Sequence, residues 1–139
     1  MMLKALVVEY EEDIRNLLVE QLLDKGCQVR KVNNSAVALQ LVRDAIPEII
    51  FADIVMPVMD GVIFLSELRK FPGTSKIAVV LVTAIDLLGL RSRTRILGVD
   101  HLQGKPWDPD SLDLMLQINS EWEFPEGRRH ICSTQRRCR

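Results

Sequence analysis

Polar side chains that can carry charge or donate a hydrogen bond follow three strand-like stretches of the sequence. Asp53 comes directly after IIFA, Thr83 ends the run IAVVLVT, and Lys105 follows HLQG. An ionised carboxylate beside an apolar run is costly to desolvate unless it meets a cation or a hydrogen-bond donor. Lys105 or a metal ion would be that cation. The chemistry that these residues predict is that of a buried carboxylate compensated by positive charge.

A fourth strand-like stretch, LVV, ends in the acidic segment EYEED, where Glu9 is followed by Tyr10. Taken singly, each polar residue has an ordinary explanation: an aspartate caps a turn, a threonine satisfies local backbone, and a lysine points to water. An acid, a hydroxyl and a lysine at three strand ends of one sheet are together better explained by a common site.

The segments that must position these residues alternate between strand-like and helix-like patterns. Gly26 is placed to end the first helix, and Asn34 or Ser35 to cap the second. The predicted strands are 3–8, 27–32, 48–52, 77–82 and 100–104, and the predicted helices are 11–25, 35–45, 61–70, 87–97 and 109–122. Five such units with apolar strands predict an α/β fold, a (βα)5 doubly wound, five-stranded parallel sheet flanked by helices. Ligands of such sheets bind beyond the carboxyl ends of the strands.

Three motifs then resemble a known family, the receiver domain of two-component response regulators, which has a CheY-like, flavodoxin-like fold. They are FADIVMPVMDG at residues 51–61, LVTA at 81–84 and KPW at 105–107. The separations, 30 residues from Asp53 to Thr83 and 52 from Asp53 to Lys105, are typical of that family. The resemblance implies a receiver domain over residues 1–122, and we expect the basic tail 123–139 to be flexible.

The resemblance implies that Asp53 accepts a phosphoryl group from a sensor histidine kinase or a phosphotransfer protein. Lys105 would neutralise charge on the phosphoryl oxygens, and the Thr83 hydroxyl would donate to one of them. Ala84 would leave the phosphorus accessible, and Pro106 would fix the approach of the lysine. Such a module is not an enzyme beyond self-catalysed phosphorylation and dephosphorylation.

The family also uses Mg²⁺, for which the resemblance implies Glu9, Asp53 and the backbone carbonyl of Val55 as ligands. Tyr10 stands where the family usually has its second acid, and a phenol that is neutral near pH 7 is a poor Mg²⁺ ligand. Glu11 is expected to point away. Two hypotheses follow. Either Mg²⁺ binding is weak and phosphorylation is slow or replaced by another signal, or the remaining ligands suffice.

Leu102 occupies a position where many receivers have a tyrosine or phenylalanine that swings inward on activation, so the aromatic readout is expected to be muted. Trp107 is expected in the core rather than in the switch. The surface from residues 86–120 is the family's usual partner and homodimer face.

The bulk composition limits the other classes of function. Five arginines and no acid lie in residues 127–139, so the net charge of −1 leaves −6 on residues 1–126. An acidic body with a basic tail does not suit a nucleic-acid-binding domain. No apolar run approaches the roughly 20 residues that span a bilayer. Three cysteines, an odd number, favour reduced thiols and a cytoplasmic location.

Two classes of function therefore compete: a phosphoacceptor in a phosphorelay, and a receiver-like scaffold that binds partners without phosphorylation. A hydrolase is a distant third, because the sequence has neither a G-x-S-x-G elbow nor a Gly-rich phosphate loop. The tail GRRHICSTQRRCR carries no effector pattern, and His130, Cys132 and Cys138 make a weak case for zinc. The chain is either a stand-alone receiver or one whose tail leads to a further domain.

Overall fold

The computed structural model describes residues 3–54, 59, 61–83, 101–105, 107 and 109–117. Within them the elements are β1 Lys4–Val8, α1 Glu12–Asp24, β2 Gln28–Val32, α2 Ser35–Asp44, β3 Ile49–Asp53, α3 Gly61–Arg69, β4 Ala78–Thr83, β5 His101–Gly104 and α4 Pro109–Leu116. The bounds differ by at most one residue from the predicted ones, except that α4 ends at Leu116, with Gln117 in a turn, where the predicted helix continues to residue 122. The predicted helix 87–97 and residues 118–122 of the last predicted helix lie outside the described residues.

The five strands form one parallel sheet in the order β2-β1-β3-β4-β5. The chain therefore moves outward from β1 to β2 and then returns to the other side of β1, which makes the β1/β3 boundary the switch point. The register pairs Val8 with Ala52, Asp53 with Val82 and Thr83 with Gly104. The carboxyl ends of these strands thus lie side by side, and the predicted fold class is confirmed.

Helices cover the sheet on both faces, and each face has its own buried cluster. One face packs α2 and α3 on the sheet, through Ala38, Val42, Phe64, Leu65, Leu68, Leu6, Ile50 and Leu81. The other packs α1 and α4, through Leu18, Leu22, Leu112, Met115, Leu116, Val7, Phe51 and Val80. Because side chains alternate along a strand, the apolar runs supply both faces at once.

Two helix boundaries follow the local chemistry of the sequence. Gly26 has φ 88°, a left-handed conformation that suits glycine just beyond the end of α1. Of the two predicted caps of α2, Asn34 is the one observed, since its Oδ1 accepts a hydrogen bond from the Val37 amide at 2.9 Å. Both predictions are confirmed.

Candidate functional site

An ammonium lies between two carboxylates at the carboxyl edge of the sheet. The Nζ of Lys105 is 2.8 Å from Oε1 of Glu9 and 3.0 Å from Oδ2 of Asp53. The Lys105 amide donates to the Thr83 carbonyl at 2.9 Å, which continues the β4–β5 pairing by one residue and fixes where the side chain starts. Residues from β1, β3 and β5 thus meet at one point, as their positions at strand ends predicted.

These charges are almost completely removed from solvent. Glu9 and Asp53 are 2% and 5% exposed, and the Lys105 side chain is 10% exposed. The second carboxylate oxygen of Glu9 accepts a hydrogen bond from the Glu11 amide at 3.1 Å. One ammonium shared by two carboxylates leaves a net negative charge in a region of low dielectric. Such a group favours the approach of a further cation.

The pKa values of the site reflect this crowding. Burial raises the pKa of Glu9, while the hydrogen bonds from Lys105 and the Glu11 amide oppose the rise and the charge of Asp53 adds to it. Burial acts to lower the pKa of Lys105, but its contacts with Glu9 and Asp53 outweigh burial and raise that pKa above its ordinary value. Lys105 is therefore a fixed positive charge at any physiological pH.

Glu11 also faces this group, contrary to the expectation that it points away. Its Oε1 is 4.0 Å from the Lys105 Nζ, although its side chain is 66% exposed. Glu9, Glu11 and Asp53 each offer one carboxylate oxygen, and the three oxygens lie within 4.8 Å of one another. Tyr10, by contrast, is 56% exposed. Glu9 and Glu11 therefore both approach Lys105, whereas Tyr10 is turned toward solvent.

Arg15 ties down the segment that carries these acids. From the first turns of α1, its Nη1 donates to the carbonyl oxygen of Glu9 at 3.0 Å and to that of Tyr10 at 3.2 Å. Sequence reasoning missed this residue. An arginine near the start of an amphipathic helix carries no signal that separates backbone bonding from simple solvation.

The backbone around residue 61 explains why the MDG motif ends in glycine. Its amide donates to the Ile54 carbonyl at 2.8 Å, which draws the start of α3 onto the end of β3. A Cβ at this position would lie 2.9 Å from the Ile54 Cα and would press against the Asp53 carbonyl oxygen. A side chain at residue 61 would therefore displace the backbone that holds the Asp53 carboxylate.

The remaining predicted residues are placed as follows. Thr83 is fully buried at the end of β4, and Leu102 is partly buried against the α2/α3 face. Trp107 is partly buried against the α1/α4 face and donates its indole N–H to Gln21 Oε1 at 2.7 Å, so it packs on the core as expected without being enclosed by it. Val55, Ala84 and Pro106, together with most of the 86–120 face, lie outside the described residues.

Comparison with known proteins agrees with this geometry. A family model of the response regulator receiver domain matches residues 5–117. The chain is 32% identical over 107 residues to "Probable transcriptional regulator ycf29" of Porphyra purpurea, covering 77% of this chain and 51% of that protein. It is 30% identical over 116 residues to "Response regulator Rre1" of Synechocystis sp., covering 83% of this chain and 50% of that protein. The chain spans about half the length of these curated relatives.

Solved structures of response regulators resemble this chain as well. The chemotaxis response regulator CheY4 of Vibrio cholerae superimposes with a TM-score of 0.79 at 26% identity, covering 84% of this chain and 98% of that one. The chain belongs to the response regulator receiver domain family. It is therefore a phosphoryl-accepting receiver module, of a family whose members are generally signalling modules and typically bind Mg²⁺. Within the described residues, no helix combines the length and the apolar character needed to cross a bilayer.

Proposed function

We propose that Asp53 is the residue that takes the phosphoryl group, from a phosphohistidine on a sensor kinase or a phosphotransfer protein. The observation that carries this proposal is the Lys105 ammonium, 3.0 Å from the Asp53 carboxylate at the switch point of a parallel sheet. A nucleophilic carboxylate needs a fixed cation beside it, because negative charge gathers on the phosphoryl oxygens as they pass across.

The proposed transfer balances in atoms and charge. An Asp53 carboxylate oxygen attacks phosphorus in line, the P–N bond to the donor imidazole breaks, and an acyl phosphate O–P bond forms. The Lys105 ammonium exchanges its ion pair with Asp53 for one with a phosphoryl oxygen and keeps its ion pair with Glu9. The Thr83 hydroxyl is proposed to donate to a second phosphoryl oxygen. The proposed activities of the site are limited to this transfer and to hydrolysis of the acyl phosphate, in which water breaks the O–P bond, inorganic phosphate leaves and the Asp53 carboxylate is restored.

The acidic residues fit a divalent cation. In an octahedral Mg²⁺ site, oxygens on opposite sides lie about 4.2 Å apart, since Mg–O distances are about 2.1 Å. The carboxylate oxygens of Glu9, Glu11 and Asp53 lie within 4.8 Å of one another, so they need to close by at most about 0.6 Å to share one Mg²⁺. Together with Lys105, these side chains carry two net negative charges. We propose that these acids hold Mg²⁺ with the Val55 carbonyl. Once bound, the ion adds positive charge beside the transferred group.

This arrangement favours the hypothesis that the metal ligands suffice despite Tyr10. The acid that the family places next to Glu9 is replaced here by Glu11, one residue further along and on the same side of the segment. The alternative, a receiver-like scaffold that never becomes phosphorylated, is not favoured, because the acids and the lysine that the reaction needs come together.

The wider proposals rest on the family and the composition. We propose a receiver domain over residues 1–122 with a basic tail at 123–139, a cytoplasmic location, and signalling through protein contacts or a homodimer at the 86–120 face. Direct contact of the receiver body with nucleic acid or membrane is not part of the proposal. With Leu102 in place of an aromatic residue, that face is expected to respond to phosphorylation without an aromatic swing.

The test is adduct formation with acetyl phosphate and Mg²⁺, followed by intact mass and peptide mapping. We expect the mass of one phosphoryl group on Asp53 in the wild-type chain and none in Asp53→Asn. The matched control is Asp44→Asn, which alters an exposed carboxylate at the end of α2 and should retain the adduct. An unmodified wild-type chain, or an adduct that survives in Asp53→Asn, would refute the assignment.

The metal ligands are tested by Mg²⁺ titration of tryptophan fluorescence. Glu9→Gln and Glu11→Gln should each weaken Mg²⁺ binding about tenfold or more, while Tyr10→Phe should leave the affinity unchanged. Equal affinities of Glu11→Gln and the wild-type chain would remove Glu11 from the proposed site.

A further inference from the structure

We propose that Arg15 is a positioning residue for this site: its guanidinium holds the segment between β1 and α1 so that Glu11 joins Glu9 on the side of Lys105. The inference rests on the proposed function, because it concerns the metal affinity of the same acids. In this inference Arg15 touches neither the metal nor the phosphoryl group, but it decides whether the Glu11 carboxylate is in place as a ligand.

The contacts lie on the two backbone carbonyls that precede Glu11. The Nη1 of Arg15 donates to the carbonyl oxygens of Glu9 at 3.0 Å and of Tyr10 at 3.2 Å. Each carbonyl belongs to a planar peptide unit, so fixing both oxygens fixes the planes on either side of Tyr10. These planes set the directions in which the side chains at 9, 10 and 11 leave the backbone.

Arg15 is itself well placed to act as an anchor. Its amide donates to the Glu11 carbonyl at 2.9 Å as part of the first turn of α1. Glu11, the N-cap residue, is extended (φ −75°, ψ 122°), and no side chain caps the helix there. The Arg15 amide thus joins the helix to Glu11, and the Arg15 guanidinium joins it to the two residues before Glu11. The bond from the Glu11 amide to the Glu9 carboxylate holds the segment internally, and the Glu9 amide ties its start to the Val32 carbonyl at 3.1 Å.

The two acids differ in how much they need this help. The Glu9 side chain is 3% exposed and bonded to Lys105 at 2.8 Å, so the core holds it in place. Glu11 is 66% exposed, and its carboxylate approaches Lys105 only to 4.0 Å. A solvated glutamate loses little by turning outward, so a fixed backbone is what keeps it near the other ligands. Losing Arg15 should therefore imitate the loss of Glu11 and not the loss of Glu9.

A second arginine with similar backbone contacts provides a control that separates positioning of the metal ligand from a general contribution of Arg15 to stability. Arg69 bonds two backbone carbonyls in the same manner, with Nη1 donating to Ser75 at 3.0 Å and to Ile77 at 2.9 Å. These carbonyls lie in the connection from α3 to β4, at the opposite edge of the sheet from Asp53. Arg69→Gln removes a similar pair of backbone bonds, along with any other contact of that guanidinium, without touching the acidic segment.

The experiment measures Mg²⁺ affinity by fluorescence titration and stability by urea denaturation in EDTA, on the full chain. Arg15→Gln should weaken Mg²⁺ binding about tenfold, the lower end of the effect of removing groups that orient metal ligands. Arg69→Gln should stay within about twofold of the wild-type affinity while losing comparable stability. Arg15→Gln/Glu11→Gln should bind no more weakly than Glu11→Gln, because the two changes remove the same ligand. Should Arg15→Gln not fold, Arg15→Lys perturbs the same contacts, since lysine lacks the planar fork.

Equal weakening by the Arg15 and Arg69 variants, or additive effects of Arg15→Gln and Glu11→Gln, would overturn the inference and leave the proposed function standing. A wild-type chain that binds no Mg²⁺ would overturn the proposed metal site first and the inference with it. The two failures are distinguished by the wild-type titration.

Discussion

Replacing Lys105 with methionine removes the ammonium from between Glu9 and Asp53 and leaves an apolar side chain of similar length. Both carboxylates are at least 94% buried, with Nζ–O distances of 2.8 and 3.0 Å. In the metal-free variant, nothing among these three residues would balance two neighbouring negative charges. Breaking a buried pair in this way costs about 3–5 kcal/mol in other proteins.

The magnitude follows from the least costly way to remove one charge. Keeping both carboxylates ionised forfeits contacts worth of order 5 kcal/mol each at an effective dielectric constant of 20. Protonating Glu9, whose ordinary pKa is 4.5, costs about 3.4 kcal/mol at pH 7 and about 0.7 kcal/mol at pH 5, at 1.36 kcal/mol per unit. We therefore expect Lys105→Met to lose about 3 kcal/mol of unfolding free energy at pH 7 and about 1 kcal/mol at pH 5.

The assay is urea denaturation in EDTA, followed by circular dichroism at both pH values. The control is Lys70→Met, which breaks a 2.7 Å pair with Glu67 at a position where the lysine side chain is 60% exposed. An exposed pair of this kind contributes less than about 1 kcal/mol. Equal losses in the two variants, or a Lys105→Met loss that is the same at pH 5 and pH 7, would refute the account of a buried charge imbalance.

Three further predictions concern Gly61, Glu9 and Cys27. Gly61→Ala should lower the unfolding free energy by about 1–3 kcal/mol, because the added Cβ presses on the β3 backbone. The control is Gly73→Ala, whose added Cβ has its nearest contact at 4.0 Å and should change the unfolding free energy little in the same denaturation assay. Burial raises the pKa of Glu9, so the folded chain binds this proton more tightly than the unfolded chain. Metal-free stability should fall as pH rises from 4.5 through the higher folded-state pKa, and Glu9→Gln should flatten that slope in thermal melts; an unchanged slope would contradict the assignment. Cys27 is 1% exposed, and burial raises its pKa to about 11, so iodoacetamide at pH 7 should leave it unmodified in peptide maps of the native chain; rapid labelling would contradict this.

The sequence by itself determined the order and type of the described elements and the residues at the strand ends. Long apolar runs bounded by glycine, proline and cap residues predict local structure well, because side-chain periodicity and backbone preferences act over a few residues. Asp53, Thr83 and Lys105 could be assigned to one edge because parallel strands must present their carboxyl ends together. The same local rules placed helix boundaries at Gly26 and at Asn34 or Ser35, and the structure shows Asn34 as the cap.

Only the tertiary structure decided how the charges at that edge are shared. Whether Glu11 turns toward Lys105, whether one ammonium serves both Glu9 and Asp53, and which carbonyls Arg15 holds depend on backbone angles in a short segment between β1 and α1. Contacts from Lys105, which is distant along the chain, and from Arg15, which the helical pattern of α1 does not distinguish from a solvated arginine, act on those angles. Residue types record which groups can ionise, but the distances that decide their interaction exist only once the sheet has brought its strand ends together.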